Sequence, residues 1–252
     1  MSAGVLPGAI VQARVGSTRL PAKVLAPLAG RPLLARVLGR LGRAAGLARV
    51  VLAIPEGPRD EPLAALAAEL GVPVFRGPED DVLGRYVGAA LAHGIDPVVR
   101  VTADCPLIDP ELVGAVLAAF LERRAADPVD LLANTLPRRW PRGLDTEVVS
   151  REALVELDRI ETDPAVREHV TLGIYRRPER FRVAGLPGPR DLAHLRWTVD
   201  TPEDLAVVRE IWEALLPVHG EAFGWRDVLA LLERRPDLAR RNAAVPQKEL
   251  PP

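Results

Sequence analysis

Four short apolar runs, each followed by a stretch patterned for a helix, fill the first half of this chain. The runs at 8–13, 48–54, 72–75 and 97–102 are rich in Val, Ile, Leu and Ala, as strands buried on both faces are. Helical stretches at 32–43, 59–70, 82–92 and 110–123 alternate with them, and Leu63, Leu66, Ala67 and Leu70 mark the buried side of the second. Asp109-Pro110 announces the fourth, with a capping residue and a proline at the first helical position. This alternation predicts an α/β fold, a doubly wound, mostly parallel, Rossmann-like sheet. Such sheets bind ligands beyond the carboxyl ends of their strands. The loops after the first and fourth strands are therefore the places where chemistry is expected.

Past residue 129 the rhythm changes. Segments 131–135 and 145–149 read as strands around an irregular loop of Pro, Arg, Trp and Gly. Short helices are expected from Ser150 and from Asp163-Pro164, and a strand over 181–185. The sequence thus divides into an α/β core of 1–129 and 186–241, expected to bind a nucleotide, with 130–185 as an α+β insertion forming the far wall of a cleft. Segment 195–200 reads as a strand returning to the main sheet. Thr201-Pro202-Glu203-Asp204 then starts a helix, with Thr as the cap, Pro at the first position and an acid at the third. A final helix is expected over 225–241 and a disordered tail over 242–252.

Composition narrows the classes. A length of 252 residues suits one large α/β domain or a core with an insertion, and 48% hydrophobic residues suffice for a buried core. The net charge of −1 provides no basic field for nucleic acid. The pairs Arg123-Arg124, Arg138-Arg139 and Arg234-Arg235 have acids nearby and read as solvated helix ends and loops. Cys105 is the single cysteine, so an intrachain disulfide is excluded, and it reads as a buried spectator. No apolar run reaches membrane-spanning length, and the N-terminus lacks a charged segment followed by an apolar one. The expectation is a cytoplasmic protein without membrane or nucleic-acid partners.

Between Gln12 and Lys23 lies a loop suited to polyphosphate. Gly16 permits close backbone approach, and Ser17 and Thr18 add hydroxyl donors. Arg14, Arg19 and Lys23 supply three cations, which suit a triphosphate better than a single phosphate. The loop has neither the Walker spacing nor GxGxxG. Of 33 Lys and Arg residues only Lys23 and Lys248 are lysine. An ammonium is a compact charge on a flexible stem, whereas guanidinium is a flat fork. Asp104 and Asp200 each follow an apolar segment, and two such carboxylates can converge on one Mg²⁺ whose other ligands are water and phosphate. Taken singly, Asp104 also fits a turn before Pro106, Asp200 a turn before a helix, and the basic loop a solvated surface.

The segment Gln12-Ala13-Arg14-Val15-Gly16-Ser17-Thr18-Arg19-Leu20-Pro21-Ala22-Lys23 resembles the signature loop of the cytidylyltransferases that make CMP-activated sugars. The synthetases of CMP-KDO and CMP-sialate are members, and the branch of spore coat polysaccharide biosynthesis protein F is the most similar. Further matches are Phe75-Arg76-Gly77-Pro78-Glu79-Asp80-Asp81-Val82-Leu83, Arg100-Val101-Thr102-Ala103-Asp104-Cys105-Pro106-Leu107-Ile108-Asp109, Asn134-Thr135 with Gly143-Leu144-Asp145-Thr146-Glu147, Arg167-Glu168-His169-Val170-Thr171, and Trp197-Thr198-Val199-Asp200-Thr201-Pro202-Glu203-Asp204. They run in the family's order from about residue 8 to 216.

This resemblance implies the nucleotide-diphospho-sugar transferase type of fold and a Mg²⁺-dependent transfer of CMP from CTP to a sugar, with pyrophosphate released. It implies that Ala13, Arg14, Gly16, Ser17, Arg76 and Thr102 bind the nucleotide. Arg19 and Lys23 would hold the outer phosphates, and Asp104 and Asp200 the metal. Asn134, Asp145, Glu147, Arg167 and His169 would face the sugar, and the chain would form a homodimer through the 130–180 region. His93, His194 and His219 lie in no motif and read as structural or exposed. Two other readings stay open. One is a glycosyltransferase, for which Asp80-Asp81 could be a metal pair, although acids at a helix start are favoured by the helix dipole anyway. The other is a non-catalytic nucleotide-binding subunit of a polysaccharide pathway.

Overall fold

The computed structural model describes residues 5–247. Strand β1 (Leu6–Gln12) leads through the long loop and a two-residue hairpin, β2 (Pro27–Leu28) and β3 (Arg31–Pro32), to helix α1 (Leu33–Leu41). Then come β4 (Arg49–Pro55), α2 (Glu61–Glu69), β5 (Val74–Gly77), α3 (Val82–Ala92), β6 (Ile95–Thr102) and α4 (Pro110–Ala126). Strands β5, β4, β1 and β6 lie side by side, all parallel. From β1 the chain steps outward to β4 and β5, then returns to the opposite side of β1 as β6. The reversal creates a topological switch point between β1 and β6, where neighbouring loops diverge and leave a crevice. Gln12 and Thr102 end the two strands in register, so the loops 13–23 and 103–109 flank that crevice.

Both faces of the sheet are covered, which explains the nearly continuous apolar strands. Ala9 and Val11 of β1 point into one core with Val99 and Val101 of β6; Ile10 points into the other with Val98. Asp81 and Asp109 cap α3 and α4 by accepting backbone N–H bonds from Gly84 and Leu112, and so fix where each helix starts.

The segment 130–185 adds β7 (Leu131–Ala133), β8 (Glu147–Val149), α5 (Arg151–Ile160), α6 (Pro164–Glu168), α7 (Leu172–Tyr175) and β9 (Val183–Gly185). Its strands extend the central sheet: β8 pairs antiparallel with β6, β7 antiparallel with β8, and β9 parallel with β7. The remaining helices are α8 (Pro202–His219), α9 (Trp225–Arg234) and α10 (Pro236–Arg241).

Three expectations change. Segment 195–200 is not a strand of the sheet. It makes one bridge, Arg142 to Arg196, and runs across the carboxyl ends of the strands, with Val199 N–H donating to the Asp104 carbonyl at 2.9 Å. Strand β6 already has β1 on one side and β8 on the other, so no edge is free for it. The pattern looked like a strand because Trp197 and Val199 are buried in the core. The last helix breaks at Arg235, because Pro236 cannot donate to the preceding turn. Finally, residues 242–247 of the tail are placed. Asn242 is buried, and its amide donates to the Arg196 carbonyl at 3.0 Å and to Asp204 at 2.9 Å. Residues 248–252 of that expectation lie outside the described ones. Among the described residues no helix is long and apolar enough to cross a membrane.

Candidate active site

A cleft of about 1120 Å³ opens over the β1/β6 switch point. The loop after β1 forms one lip. Val15 N–H donates to the buried Asp60 carboxylate at 2.7 Å, and Ala22 N–H to the Val15 carbonyl at 3.1 Å, so the loop is pinned at its base and closed on itself. Gly16 passes against the Arg59 guanidinium, where a Cβ would meet it at 3.0 Å. Ala22 takes up a left-handed conformation, φ 53°, and turns the chain so that Lys23 faces inward.

Lys23 is where the distant motifs meet. Its ammonium donates to Asp104 Oδ2 at 2.8 Å, Asp200 Oδ1 at 2.9 Å and the Val199 carbonyl at 2.7 Å. Arg19 Nη2 stands 3.0 Å from the same Asp200 oxygen. Burial alone would lower the Lys23 pKa, but the two carboxylates outweigh it and raise it above the usual lysine value. Burial likewise pushes Asp104 up, and the Lys23 charge with hydrogen bonds from Lys23, Thr102 and Cys105 brings it below the ordinary carboxylate range. Thr102 Oγ1 holds Asp104 Oδ1 at 2.6 Å. Cys105 is buried, and burial beside Asp104 raises its thiol pKa well above normal, which keeps it protonated and no nucleophile.

Asp200 is held from below. Arg196 donates to Asp200 Oδ2 at 2.7 Å and grips the fully buried Asp204 at 2.9 and 3.0 Å. Asp204 in turn accepts the Asp200 N–H at 2.9 Å and completes the capping box of α8 with Thr201. The motif that reads as a helix cap thus also aims a carboxylate into the cleft.

The opposite wall comes from 130–185 and β6. Arg100 and Glu147 are register partners on β6 and β8, and Arg100 Nη1 donates to Glu147 at 2.6 Å. Thr171 donates to Glu147 at 3.0 Å, and Tyr175 at 2.6 Å. Arg138 makes a two-pronged pair with Asp145 at 2.8 and 2.7 Å. Arg142 lines the cleft and has no ion pair among the described residues; burial first, then the charge of Arg138, lowers its pKa. His169 lines the same wall. Two atoms of the cleft floor, Gln12 Oε1 and Arg100 Nε, are buried without a partner among the described residues.

The cleft therefore gathers Ala13, Arg14, Gly16, Ser17, Arg19, Lys23, Thr102, Asp104, Asp200, Asp145, Glu147 and His169 from the residues expected in it. It leaves out three. Arg76 pairs with Glu61 at 3.0 Å away from the cleft. Asn134 is fully buried and ties the Leu144 carbonyl to the Thr146 N–H, closing its own loop. Arg167 is a brace that joins Asp81 of the α3 cap to Asp158 and to carbonyls of α5 and the following turn. Conversely, Arg100, Arg138, Arg142 and Tyr175 line the cleft although none of them is among the residues expected there. Arg100 carried a usable signal: a lone arginine inside an apolar strand must find a buried partner.

Among the described residues no group of three or more His, Cys, Asp and Glu side chains gathers as a metal site. Two carboxylates converge instead, with a cation, the Lys23 ammonium, already between them. That donor set fits a hard ion that takes few ligands from protein and the others from water and phosphate.

Known proteins are similar to this chain over most of its length. The family model for cytidylyltransferase matches residues 8–215. The spore coat polysaccharide biosynthesis protein SpsF of Bacillus subtilis (strain 168) is 33% identical over 244 residues, covering 93% of this chain and 97% of the relative. The 3-deoxy-manno-octulosonate cytidylyltransferase of Anaeromyxobacter dehalogenans (strain 2CP-C) is 40% identical over 113 residues, covering 44% of this chain and 46% of that protein. A solved cytidylyltransferase structure from Leptospira borgpetersenii serovar Hardjo-bovis (strain JB197) superposes with a TM-score of 0.88 at 30% identity, covering 97% of this chain and all of that one.

Proposed function

This chain belongs to the cytidylyltransferase family, and from that premise we propose that it transfers CMP from CTP to an acidic or modified sugar for surface polysaccharide and releases pyrophosphate. One observation carries the reading: Lys23 and Arg19 of the early loop meet Asp104 and Asp200 at a single point of the cleft, within 3.0 Å. In this reading Ala13, Arg14, Gly16, Ser17 and Thr102 border the nucleotide. Arg19 and Lys23 stabilise charge on the departing pyrophosphate, which is the main demand that such a displacement makes on protein side chains. Asp104 and Asp200 would hold a divalent cation, which would supply Lewis-acid polarisation of phosphate oxygens when bound. The attacking group is a sugar hydroxyl. Its oxygen bonds to the α-phosphorus and gives up its proton to solvent as the bond from that phosphorus to the β-phosphate oxygen breaks.

Arg142, with no ion pair among the described residues, is suited to an anionic acceptor, and His169, Asp145, Glu147 and Tyr175 stand on the same wall. The name of one relative, in spore coat polysaccharide biosynthesis, supports a surface polysaccharide, and that of another, a 3-deoxy-manno-octulosonate cytidylyltransferase, supports an acidic sugar. We further expect a homodimer through 130–180, where Leu136 and Val155 are exposed; sedimentation at high concentration reads this directly.

The test is pyrophosphate release from CTP across a panel of acidic sugars and sugar phosphates, with Lys23→Ala and Asp104→Ala alongside. Release that needs CTP, one sugar and a divalent ion, and that both variants abolish, supports the proposal. A glycosyltransferase releases no pyrophosphate, and a binding subunit turns over nothing; either result overturns it.

A further inference from the structure

The Lys23 ammonium has three protons and three acceptors, Asp104 Oδ2, Asp200 Oδ1 and the Val199 carbonyl, at 2.8, 2.9 and 2.7 Å. The other carboxylate oxygens are also engaged. Asp104 Oδ1 accepts from Thr102 at 2.6 Å, Asp200 Oδ2 accepts from Arg196 at 2.7 Å, and Arg19 shares Asp200 Oδ1 at 3.0 Å. Lys23 thus stands at a point where both aspartates are reached together. A divalent ion placed there would need the oxygens the ammonium already holds, and would sit against a positive charge.

We infer that Lys23 is the resident cation of this site and exchanges with a divalent ion only when phosphate oxygens arrive to receive its ammonium, so that ion and nucleotide bind as one coupled unit. The inference rests on the triphosphate reading above. Without phosphate, moving the ammonium off the aspartates strips a largely buried charge of three acceptors, two of them carboxylates, and gives it only water in return. With phosphate beside the loop, the flexible lysine stem can carry the charge a short distance to new oxygens while the ion takes the vacated ones. The same loop bears Gly16, Ser17, Thr18 and Arg19 on the cleft, so acceptor oxygens held by it lie within that reach. Such coupling is reciprocal: the nucleotide must raise the affinity for the ion by the factor by which the ion raises affinity for the nucleotide. Arginine could not play this part, since its fork would pair with both carboxylates and release neither easily.

The test is Mn²⁺ binding to the full chain, read from the free-ion EPR signal without nucleotide. Lys23→Met should bind Mn²⁺ at least about tenfold more tightly than the wild type, within the usual range of site coupling. Adding Asp104→Asn to Lys23→Met should remove the gain, which places the ion between the aspartates. Equal or weaker Mn²⁺ binding by Lys23→Met overturns the inference. A second measurement needs no variant, because the chain has only two lysines, Lys23 and Lys248. Protein labelled with ¹³C at lysine Cε gives two signals. The Lys23 signal should stay in place at a Mg²⁺ concentration that shifts it fully once CTP is added; a full shift with Mg²⁺ alone overturns the exchange. The two readings fail separately. A Mn²⁺ gain in Lys23→Met without any response to CTP supports Lys23 as the resident cation and counts against the CTP reading. CTP turnover with no Mn²⁺ gain does the reverse.

Discussion

At the Lys23 end of the cleft, charges from three segments far apart in sequence share the same few oxygens, whereas at the Glu147 end Asp145 and Glu147 are each already closed by partners within the wall itself. Lys23 and Arg19 come from the loop after β1, Asp104 from the loop after β6, and Arg196, Asp200 and Asp204 from the segment that crosses the strand ends. Most contacts there can be handed over to a ligand, because a cation loop faces an acid pair. On the other wall, Arg138 is saturated by Asp145, and Glu147 by Arg100, Thr171 and Tyr175. That wall is a fixed surface with preset donors and acceptors, and Arg142 on it has no ion pair among the described residues. The contrast matches two tasks: charge that must move during a displacement, and shape that must stay still to select an acceptor.

The strongest way to break the comparison is to remove the support under the first end. Arg196→Met leaves Asp204, which is fully buried, without its guanidinium. Loss of one partner from a buried pair costs about 3–5 kcal/mol, so denaturant unfolding should show a loss of that order. If stability holds while turnover falls, Arg196 serves only to aim Asp200. A step smaller is Lys23→Arg. The guanidinium keeps the charge but not the compact, mobile geometry. Turnover should fall about 10²-fold, in the range for losing one stabilising donor, with KM for CTP changed less. Equal losses in both would make Lys23 a binding group alone.

These two ends also differ in how far the sequence disclosed them. The switch point was legible because apolar runs and helix patterns alternate over 8–123, and the Gln12–Lys23 loop, Asp104 and Asp200 each stand next to an element whose type is clear. Segment 195–200 misled because burial by tertiary packing and burial in a sheet leave the same apolar trace. The acceptor wall was less legible for a different reason. Asn134 and Arg167 sit in motifs, yet their hydrogen bonds go to backbone and acids that fix a loop and a helix cap. Arg138 looked like a solvated loop residue because Asp145, seven positions on, closes on it only once β7 and β8 pair. Tail residue Asn242 carried no signal at all; its partners Arg196 and Asp204 are set by folding.

The Arg167 brace can be separated from the cleft by acid. Burial would raise the Asp81 pKa, but the Arg167 hydrogen bonds, the Gly84 N–H and the Arg167 charge lower it in the folded state. A depressed carboxylate pKa adds stability that is present above the unfolded value of about 3.9 and is lost as pH falls through the folded value. Asp81→Asn keeps an N-cap side chain while removing the charge. Its stability should therefore lie below wild type at neutral pH and converge with it as the Asp81 carboxyl of the wild type protonates. A gap that persists unchanged to the acid limit would mean that packing, rather than charge, joins α6 to α3.

Arg76 marks the smallest expected effect and the sharpest line between motif and site. It lies in a stretch that matches the family pattern, at the carboxyl end of the edge strand β5, yet its guanidinium reaches Glu61, and the pair is partly exposed. An exposed ion pair contributes about 0–1 kcal/mol. Arg76→Ala should therefore shift unfolding by less than about 1 kcal/mol and leave KM for CTP within about twofold, since the side chain borders no part of the cleft. A large rise in KM with kcat preserved would show that the β5 edge swings over the nucleotide in the bound state. The cleft's charged end would then draw on a fourth distant segment, which would widen its contrast with the self-contained acceptor wall.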